Sequence, residues 1–115
     1  MKILNYTKNT ILAKEARLAD TFVSRMIGLL DRPNISKGEA LVITQCQSIH
    51  MFFMRFAIDV VFANKDNQIV GLVENIQPFR LSPIFFKASY AIELAPGVIV
   101  DSKTAIGDRI SLEPT

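Results

Sequence analysis

"AIDVVFANKDNQIVGLVENI", residues 57–76, contains two apolar runs on either side of a polar linker at residues 64–68. Both runs are rich in valine and isoleucine, which favour strands, and a linker of this length is typical of a hairpin with a longer loop. Asp59 lies within the first run. The stretch therefore predicts two paired strands, the first of which carries an acidic side chain.

Similar patterns of short apolar runs and turns lie on both sides of this hairpin. Near the amino terminus, two runs are separated by a polar break centred on Lys8 and Asn9, and "ALVIT" at residues 40–44 is typical of a short buried strand. "ASYAIELAPG" (88–97) and "RISLE" (109–113) predict two more strands. The pattern indicates a mainly β fold, a compact β-sandwich or barrel-like domain, with an α+β arrangement as the alternative.

One segment has helical periodicity instead. In "ADTFVSRMIGLLDRP" (19–33), apolar side chains recur on one stripe, Asp20 or Thr21 can cap the first turn, and Pro33 ends the pattern. The sequence therefore predicts one amphipathic helix near residues 20–31.

Composition restricts the architecture and the partners. The chain has 115 residues, which fits a single domain over 1–115, and half of them are apolar. Its 13 basic and 11 acidic residues are spread along the chain without a block of like charge, so we expect no nucleic-acid partner.

Cysteine content and hydropathy bear on the compartment. A single cysteine forms no internal disulfide, which favours a reducing environment. The amino terminus has no long apolar run like that of a signal peptide, and no stretch is long enough to cross a bilayer. We expect a soluble, cytoplasmic protein that does not associate with membranes.

The stretch "CQSIHMFFMRFAID" (46–59) gathers the only cysteine and the only histidine of the chain. In an extended segment Cys46 and His50 would lie about 13 Å apart, whereas one helical turn would bring their Cβ atoms to about 6 Å. The favoured interpretation is structural for both: Cys46 as a small buried side chain, and His50 as a hydrogen-bonded imidazole next to Ser48.

A metal site would need more ligands than this pair, and Asp59, Glu93 and Asp108 are the carboxylates considered. Nothing in the sequence matches a zinc-binding spacing. We therefore expect neither a metal nor another cofactor.

Arg55 and Asp59 would share one face if this stretch were a continuous strand, and each would need a partner across the sheet. Glu93 is the first partner to consider, because small side chains flank it on its own strand face. Two interpretations stay open. Arg55 and Glu93 form a buried ion pair, or Arg55, Asp59 and Glu93 line a polar pocket.

Phe79 lies in a segment bracketed by two prolines, next to Arg80, and Phe85 and Phe86 follow that segment, next to Lys87. Such a loop usually packs its aromatic rings onto the core. If the rings were exposed, they would form a patch for protein contact.

These segments also resemble a known family, DUF192, whose members are small uncharacterised bacterial and archaeal proteins. The resemblance rests on "RMIGLLDR" (25–32), "GEALVI" (38–43), "CQSIHMFFMRFAIDVVF" (46–62), "YAIELAPG" (90–97) and "IGDRISL" (106–112). It implies a compact β-rich fold. It also maps the polar motif positions of the family onto Arg25, His50, Arg55, Asp59, Glu93 and Asp108.

Three functions are compatible with these residues. The favoured one is a non-catalytic binding module that holds a small ligand, a peptide or a protein partner in a polar pocket. The alternatives are a small hydrolase that uses His50 with Asp59 or Glu93, with or without a metal, and a structural protein that mediates assembly. The sequence does not assign a catalytic residue, an oligomeric state or the identity of a ligand.

Overall fold

β-Strands dominate the computed structural model, which describes residues 1–19, 34–52 and 54–114. A single short helix, α1, covers Val98–Asp101 within that part of the chain. The strands, numbered in chain order, are β1 (Lys2–Asn5), β2 (Thr10–Ala19), β3 (Gly38–Thr44), β4 (Ile58–Ala63), β5 (Ile69–Ile76), β6 (Tyr90–Leu94) and β7 (Ile110–Glu113).

All seven strands belong to one sheet, in the order β5-β4-β6-β3-β2-β1-β7. Neighbouring strands are antiparallel except β2 and β3, which run parallel. Parallel neighbours need a crossover connection, because a tight turn reverses the chain direction. The connection from β2 to β3 includes residues 20–33, which lie outside the described residues.

The two edge strands, β5 and β7, meet at one end of the sheet. Gln68 and Arg109, the residues just before these strands, form an isolated antiparallel bridge. Backbone hydrogen bonds flank it, from Ile69 N–H to the Asp108 carbonyl at 2.8 Å and from Ile110 N–H to the Asn67 carbonyl at 2.9 Å. The sheet therefore curls towards a barrel that is closed at this end.

The centre of the sheet is buried on both faces. Every residue of β4 and β6 is buried, including side chains that point in opposite directions. Val42, Ile92 and Val61 lie side by side across three strands and form one apolar row. This central row and the adjacent residues of β3 and β6 stabilise the middle of the sheet. The candidate site residues project from this sheet.

The predicted mainly β, barrel-like fold is confirmed. The hairpin of residues 57–76 is also confirmed, with β4 and β5 on either side of the polar linker. The amphipathic helix predicted near residues 20–31 lies outside the described residues.

Candidate binding surface

Asp59 is a structural anchor. It lies on β4, is 1% exposed, and accepts three backbone hydrogen bonds through its carboxylate. Oδ1 accepts from Asn75 N–H at 2.8 Å, and Oδ2 accepts from Gly97 N–H at 3.1 Å and Ile99 N–H at 3.0 Å. Gly97 precedes α1 in a left-handed conformation that suits glycine, and it has no side chain to cap the helix. Asp59, on β4, supplies the missing cap of α1. Its hydrogen bond with Asn75 also fixes β5.

Glu93 is fully buried on β6 and takes part in at least one polar or electrostatic interaction. Its cross-strand neighbour on β4 is Val60, whereas Asp59 lies opposite Leu94. Directly opposite residues of an antiparallel pair share a face, and successive residues alternate between faces. The two carboxylates therefore project from opposite faces of the sheet, and the structure does not bring them together.

Arg55 differs from its expected placement on a strand face. The β4 strand begins only at Ile58, because a turn closed by Met54 N–H and the Met51 carbonyl, 3.3 Å apart, interrupts the extended chain. Arg55 follows this turn and is exposed. Within residues 1–19, 34–52 and 54–114 it forms no ion pair, so Glu93 is not its partner.

The segment between Cys46 and His50 has no helical turn. The Cys46 thiol donates to the Ser48 carbonyl at 3.1 Å, whereas His50 pairs with Leu81 across an isolated bridge. The imidazole packs against the ring of Phe52, with centroids 5.1 Å apart, and the Ser48 side chain is exposed. This arrangement lacks the short helical spacing that would bring Cys46 and His50 together.

Arg25 lies outside the described residues. Among the residues that the structure does describe, no three histidine, cysteine, aspartate or glutamate side chains converge to form a metal site.

Asp108 lies in a buried polar cluster at the closed end of the sheet. Its carboxylate accepts from Asn5 Nδ2 at 2.9 Å, from Ala105 N–H at 3.0 Å and from Lys8 Nζ at 2.9 and 3.0 Å. Asn5 Nδ2 also donates to Thr104 Oγ1 at 3.0 Å. Asn5 and Lys8 were not among the predicted site residues, and they lie about 100 positions away in the sequence.

Electrostatics keeps Asp108 ionised. Burial opposes the charge, but the hydrogen bonds from Asn5, Lys8 and the Ala105 backbone, with the charge of Lys8, outweigh it. The pKa of Asp108 is therefore lower than that of an ordinary aspartate. Groups of the protein already donate hydrogen bonds to both carboxylate oxygens of Asp108. The cluster is therefore suited to stabilising the fold.

A shallow cleft of about 350 Å³ lies between β2, α1 and the start of β3. At its rim Lys37 Nζ forms an ion pair with Asp101 Oδ2 at 2.7 Å. Thr10, which also lines it, donates its hydroxyl to the Ser102 carbonyl at 2.8 Å. None of the predicted site residues lines this cleft, and several of its polar groups are bonded within the protein.

A different surface is built by two irregular segments, 47–52 and 79–86, which we call the ribbon. They run antiparallel, with Met51 N–H donating to the Arg80 carbonyl at 2.8 Å and Phe79 N–H to the Met51 carbonyl at 2.7 Å. Further hydrogen bonds run from Ser82 N–H to the Ile49 carbonyl, from Ile49 N–H to Ser82 Oγ, and from Phe85 N–H to the Gln47 carbonyl. The ribbon backbone is thus held along most of its length.

The inner side of the ribbon packs on the sheet. Ile49 and Met51 are buried, and the ring of Phe85 lies 4.6 Å from that of Phe62 on β4, between centroids. Gly71 on β5 leaves the space for Phe85, because a Cβ atom at this position would overlap its ring. The sheet and ribbon are therefore fitted to each other through this one aromatic side chain.

The outer side exposes large apolar side chains, which we call the ribbon face. They range from 42% to 78% exposed and comprise Phe52, Phe79, Leu81, Ile84 and Phe86. Single exposed apolar residues are ordinary, but several on one short rigid element are typical of a contact surface.

Phe79 has a backbone conformation that large side chains rarely adopt. Its φ is 65°, in the left-handed region, where a residue with a bulky side chain is strained by roughly 1–3 kcal/mol. The hydrogen bond to Met51 holds it there. Strain of this kind is concentrated at functional sites, which supports a role for the ribbon face beyond folding.

The structure shows both core packing and exposure of aromatic rings in this segment. Phe85 packs on the core, whereas Phe79 and Phe86 are exposed. Leu81 and Ile84 were not predicted as surface residues. The signal for this surface in the sequence was the pair of prolines that bracket part of the segment. They indicated an irregular connection rather than a strand.

Taken together, the curled mainly β sheet, the internally bonded carboxylates and the apolar ribbon face define a small β-domain protein without a recognised catalytic arrangement among its described residues. The model of the DUF192 family, described as "Uncharacterized ACR", matches residues 3–112. The chain belongs to this family.

Archaeal relatives agree with the family assignment. A UPF0127 protein of Thermococcus sibiricus is 34% identical over 115 residues, covering 96% of this chain and 74% of the relative. Another, of Pyrococcus furiosus, is 35% identical over 111 residues, covering 94% of this chain and 95% of the relative.

Two solved structures share the fold. A protein of unknown function from Novosphingobium aromaticivorans aligns with a TM-score of 0.81 at 15% identity, over 96% of this chain and 82% of that one. A putative transcription regulator from Sinorhizobium meliloti aligns with a TM-score of 0.78 at 19% identity, over 96% and 89%. At these identities the likeness concerns the fold alone.

No described helix has the length and apolar character that crossing a membrane requires.

Proposed function

We propose that this protein is a non-catalytic binding module that contacts a protein partner through the ribbon face. The observation that carries the proposal is the set of five large apolar side chains exposed on one hydrogen-bonded element. Exposing them to water is unfavourable by roughly 25 cal/mol for each Å² that a partner would cover. A partner that covered them would recover this free energy.

Two properties of the ribbon support this role. Three of the exposed side chains are phenylalanines, and aromatic residues are enriched at protein interfaces. The backbone is held by hydrogen bonds to itself, so little conformational entropy would be lost on binding. A rigid surface with aromatic anchors is suited to binding another protein.

The chemistry of Asp59 favours binding over hydrolysis. Both of its carboxylate oxygens accept hydrogen bonds from backbone amides and the residue is 1% exposed, whereas a general base must lie within hydrogen-bond reach of a substrate. The pocket of Arg55, Asp59 and Glu93 is likewise not supported, because two of these residues lie on opposite sheet faces and the third is exposed.

The proposal is tested by a quantitative pull-down from the native host, with tagged wild type and matched variants. Phe86→Ser is paired with Tyr6→Ser, since the two aromatic residues are 78% and 77% exposed. Leu81→Ser is paired with Ile106→Ser, at 67% and 66% exposed. We expect one or a few proteins to be recovered with the wild type and both controls, and at least about tenfold less with each ribbon variant.

Recovery that is the same for the ribbon variants and their controls would contradict the proposal. Light scattering on the wild type separates a partner from self-assembly. A stable dimer that Phe86→Ser dissociates and Tyr6→Ser does not would reassign the ribbon face to contact between copies of this chain.

A further inference from the structure

We infer that the partner of the ribbon face is an acidic protein segment, one that presents aspartate or glutamate beside apolar side chains. The inference rests on the proposed function and names the chemistry of the partner. It comes from the distribution of charge around the ribbon face.

Every charged side chain in the ribbon and its flanks is basic. Residues 45–58 and 77–92 contain Arg55, Arg80 and Lys87 but no aspartate or glutamate, although the whole chain has 13 basic and 11 acidic residues. All three cations are exposed. The absence of acidic residues here is therefore a local departure from an otherwise balanced sequence.

These cations are neighbours of the exposed apolar residues in the sequence. Arg80 lies between Phe79 and Leu81 in the sequence, and Lys87 follows Phe86. Arg55 follows the turn that begins at Met51, close to Phe52.

Within the part of the chain that the structure describes, these charges are also not neutralised by ion pairs. Among the described residues, Arg55, Arg80 and Lys87 form no ion pair, while Lys8 and Lys37 each pair with an aspartate elsewhere. Of the nearest acidic residues in the sequence, Asp59 and Glu93 are buried and only Glu74 is exposed. An exposed apolar surface flanked in the sequence by cations that form no ion pair with the described residues is complementary to an apolar surface carrying anions.

A protein segment fits this surface better than the other anionic partners. Nucleic-acid binding proteins typically neutralise several phosphates, and only three cations are present here. Binding to anionic membrane surfaces typically uses clusters of about four to eight lysines and arginines, more than the three cations found here. The guanidinium groups of Arg55 and Arg80 match carboxylates in two-point geometry.

The test is selection of a random dodecapeptide display library on three immobilised proteins. They are the wild type, the reversal variant Arg55→Glu/Arg80→Glu/Lys87→Glu, and the control Lys14→Glu/Lys65→Glu/Lys103→Glu. The control changes the net charge equally, at exposed lysines outside the ribbon. Urea unfolding of each protein verifies that it is folded before selection.

We expect the wild type and the control to enrich peptides that combine acidic and apolar residues. The reversal variant should enrich basic ones. Affinity of a selected peptide, measured by fluorescence anisotropy, should fall about tenfold or more in the reversal variant and should weaken with salt.

Other outcomes overturn the inference in distinguishable ways. If selected peptides are neutral or basic, and lose binding only in Phe79→Ser/Phe86→Ser, the partner class is wrong and the binding function stands. If no peptide is enriched in a manner that depends on the ribbon, both fail. Finally, sedimentation with phosphatidylglycerol vesicles is compared with sedimentation with phosphatidylcholine vesicles. Binding to phosphatidylglycerol vesicles that depends on the ribbon would mean that the partner of this surface is a lipid.

Discussion

The two buried aspartates and the ribbon face reverse the usual placement of polar and apolar groups, and they do so with different consequences. Asp59 and Asp108 are charged side chains inside the protein, yet every contact described for them is a hydrogen bond or ion pair with the protein itself. The ribbon face is apolar, and its side chains are partly exposed at the protein surface. Satisfied buried charges indicate structure, whereas an apolar surface left in water indicates a partner.

The contrast predicts that changes at the aspartates reduce stability strongly, whereas changes at the ribbon face alter it only slightly. The largest effect is expected for Asp59→Ala, which leaves the N–H groups of Asn75, Gly97 and Ile99 without their acceptor. Loss of about 3–5 kcal/mol in the free energy of unfolding should follow, because these donors lie in partly or fully buried positions. Urea denaturation measures it, with the exposed Asp66→Ala as control. A loss below about 1 kcal/mol would show that Asp59 is not an anchor.

The next effect tests the contact between the sheet and the ribbon. Gly71→Ala places a methyl group against the ring of Phe85, and we expect a loss of about 2–3 kcal/mol together with faster amide exchange in the ribbon. The double variant Gly71→Ala/Phe85→Ala should lose less than the sum of the two single variants, since the smaller side chain makes room. If the losses in unfolding free energy were additive, the overlap between Gly71→Ala and the ring of Phe85 would not be the cause of the effect.

Asp108→Asn should have a smaller effect, about 1–2 kcal/mol at neutral pH, because it removes the charge that Lys8 and Asn5 contact. The pKa of Asp108 is lower in the folded protein than in an ordinary aspartate, so the ionised form stabilises the fold above the ordinary pKa. That stabilisation is lost as the pH falls through the lowered pKa. Urea denaturation over a pH series should therefore show wild type and variant converging in acid.

The exposed pair of Lys37 and Asp101 is the control for that prediction. Both side chains are more than half exposed, so Asp101→Asn should change stability by no more than about 0.5 kcal/mol. A difference between wild type and Asp108→Asn that stays constant down to low pH would contradict the assignment of charge to Asp108.

The smallest effect has the opposite sign. Phe79→Gly removes a side chain from a left-handed backbone position, and we expect stability to be unchanged or raised by up to about 1 kcal/mol. Leu81→Gly, on the same ribbon at a residue without positive φ, should instead lower stability slightly. Thermal unfolding of both variants measures the difference. A clear loss in Phe79→Gly would mean that this ring is needed for folding.

The strands were readable from the sequence because their signal is local. The hairpin of β4 and β5 follows from two runs rich in valine and isoleucine on either side of a polar linker, and the strand that carries Glu93 follows from an alternating run. The parallel pairing of β2 with β3, and the bridge between Gln68 and Arg109, join distant residues and have no local pattern.

The site was less predictable, for two physical reasons. The partners of Asp59 are backbone N–H groups, which nearly every residue has, so no residue type marks them in a sequence. Phe85 and Phe86 are adjacent and chemically identical, yet one packs inward and the other projects outward. Which of them is exposed depends on the direction of the ribbon, which only the tertiary structure defines.

The pairing of β1 with β7 has a consequence for the speed of folding. Lys2 lies opposite Glu113, and the contact between Asn5 and Asp108 closes a loop of 103 residues. Contacts between such distant parts of a chain form only after most of the loop entropy has been lost, and proteins dominated by them fold in roughly milliseconds to seconds. Closing the sheet should therefore be a late step. Until then the unpaired backbone N–H and C=O groups at the edges of β1 and β7 are available to other chains, so aggregation competes with folding in this interval.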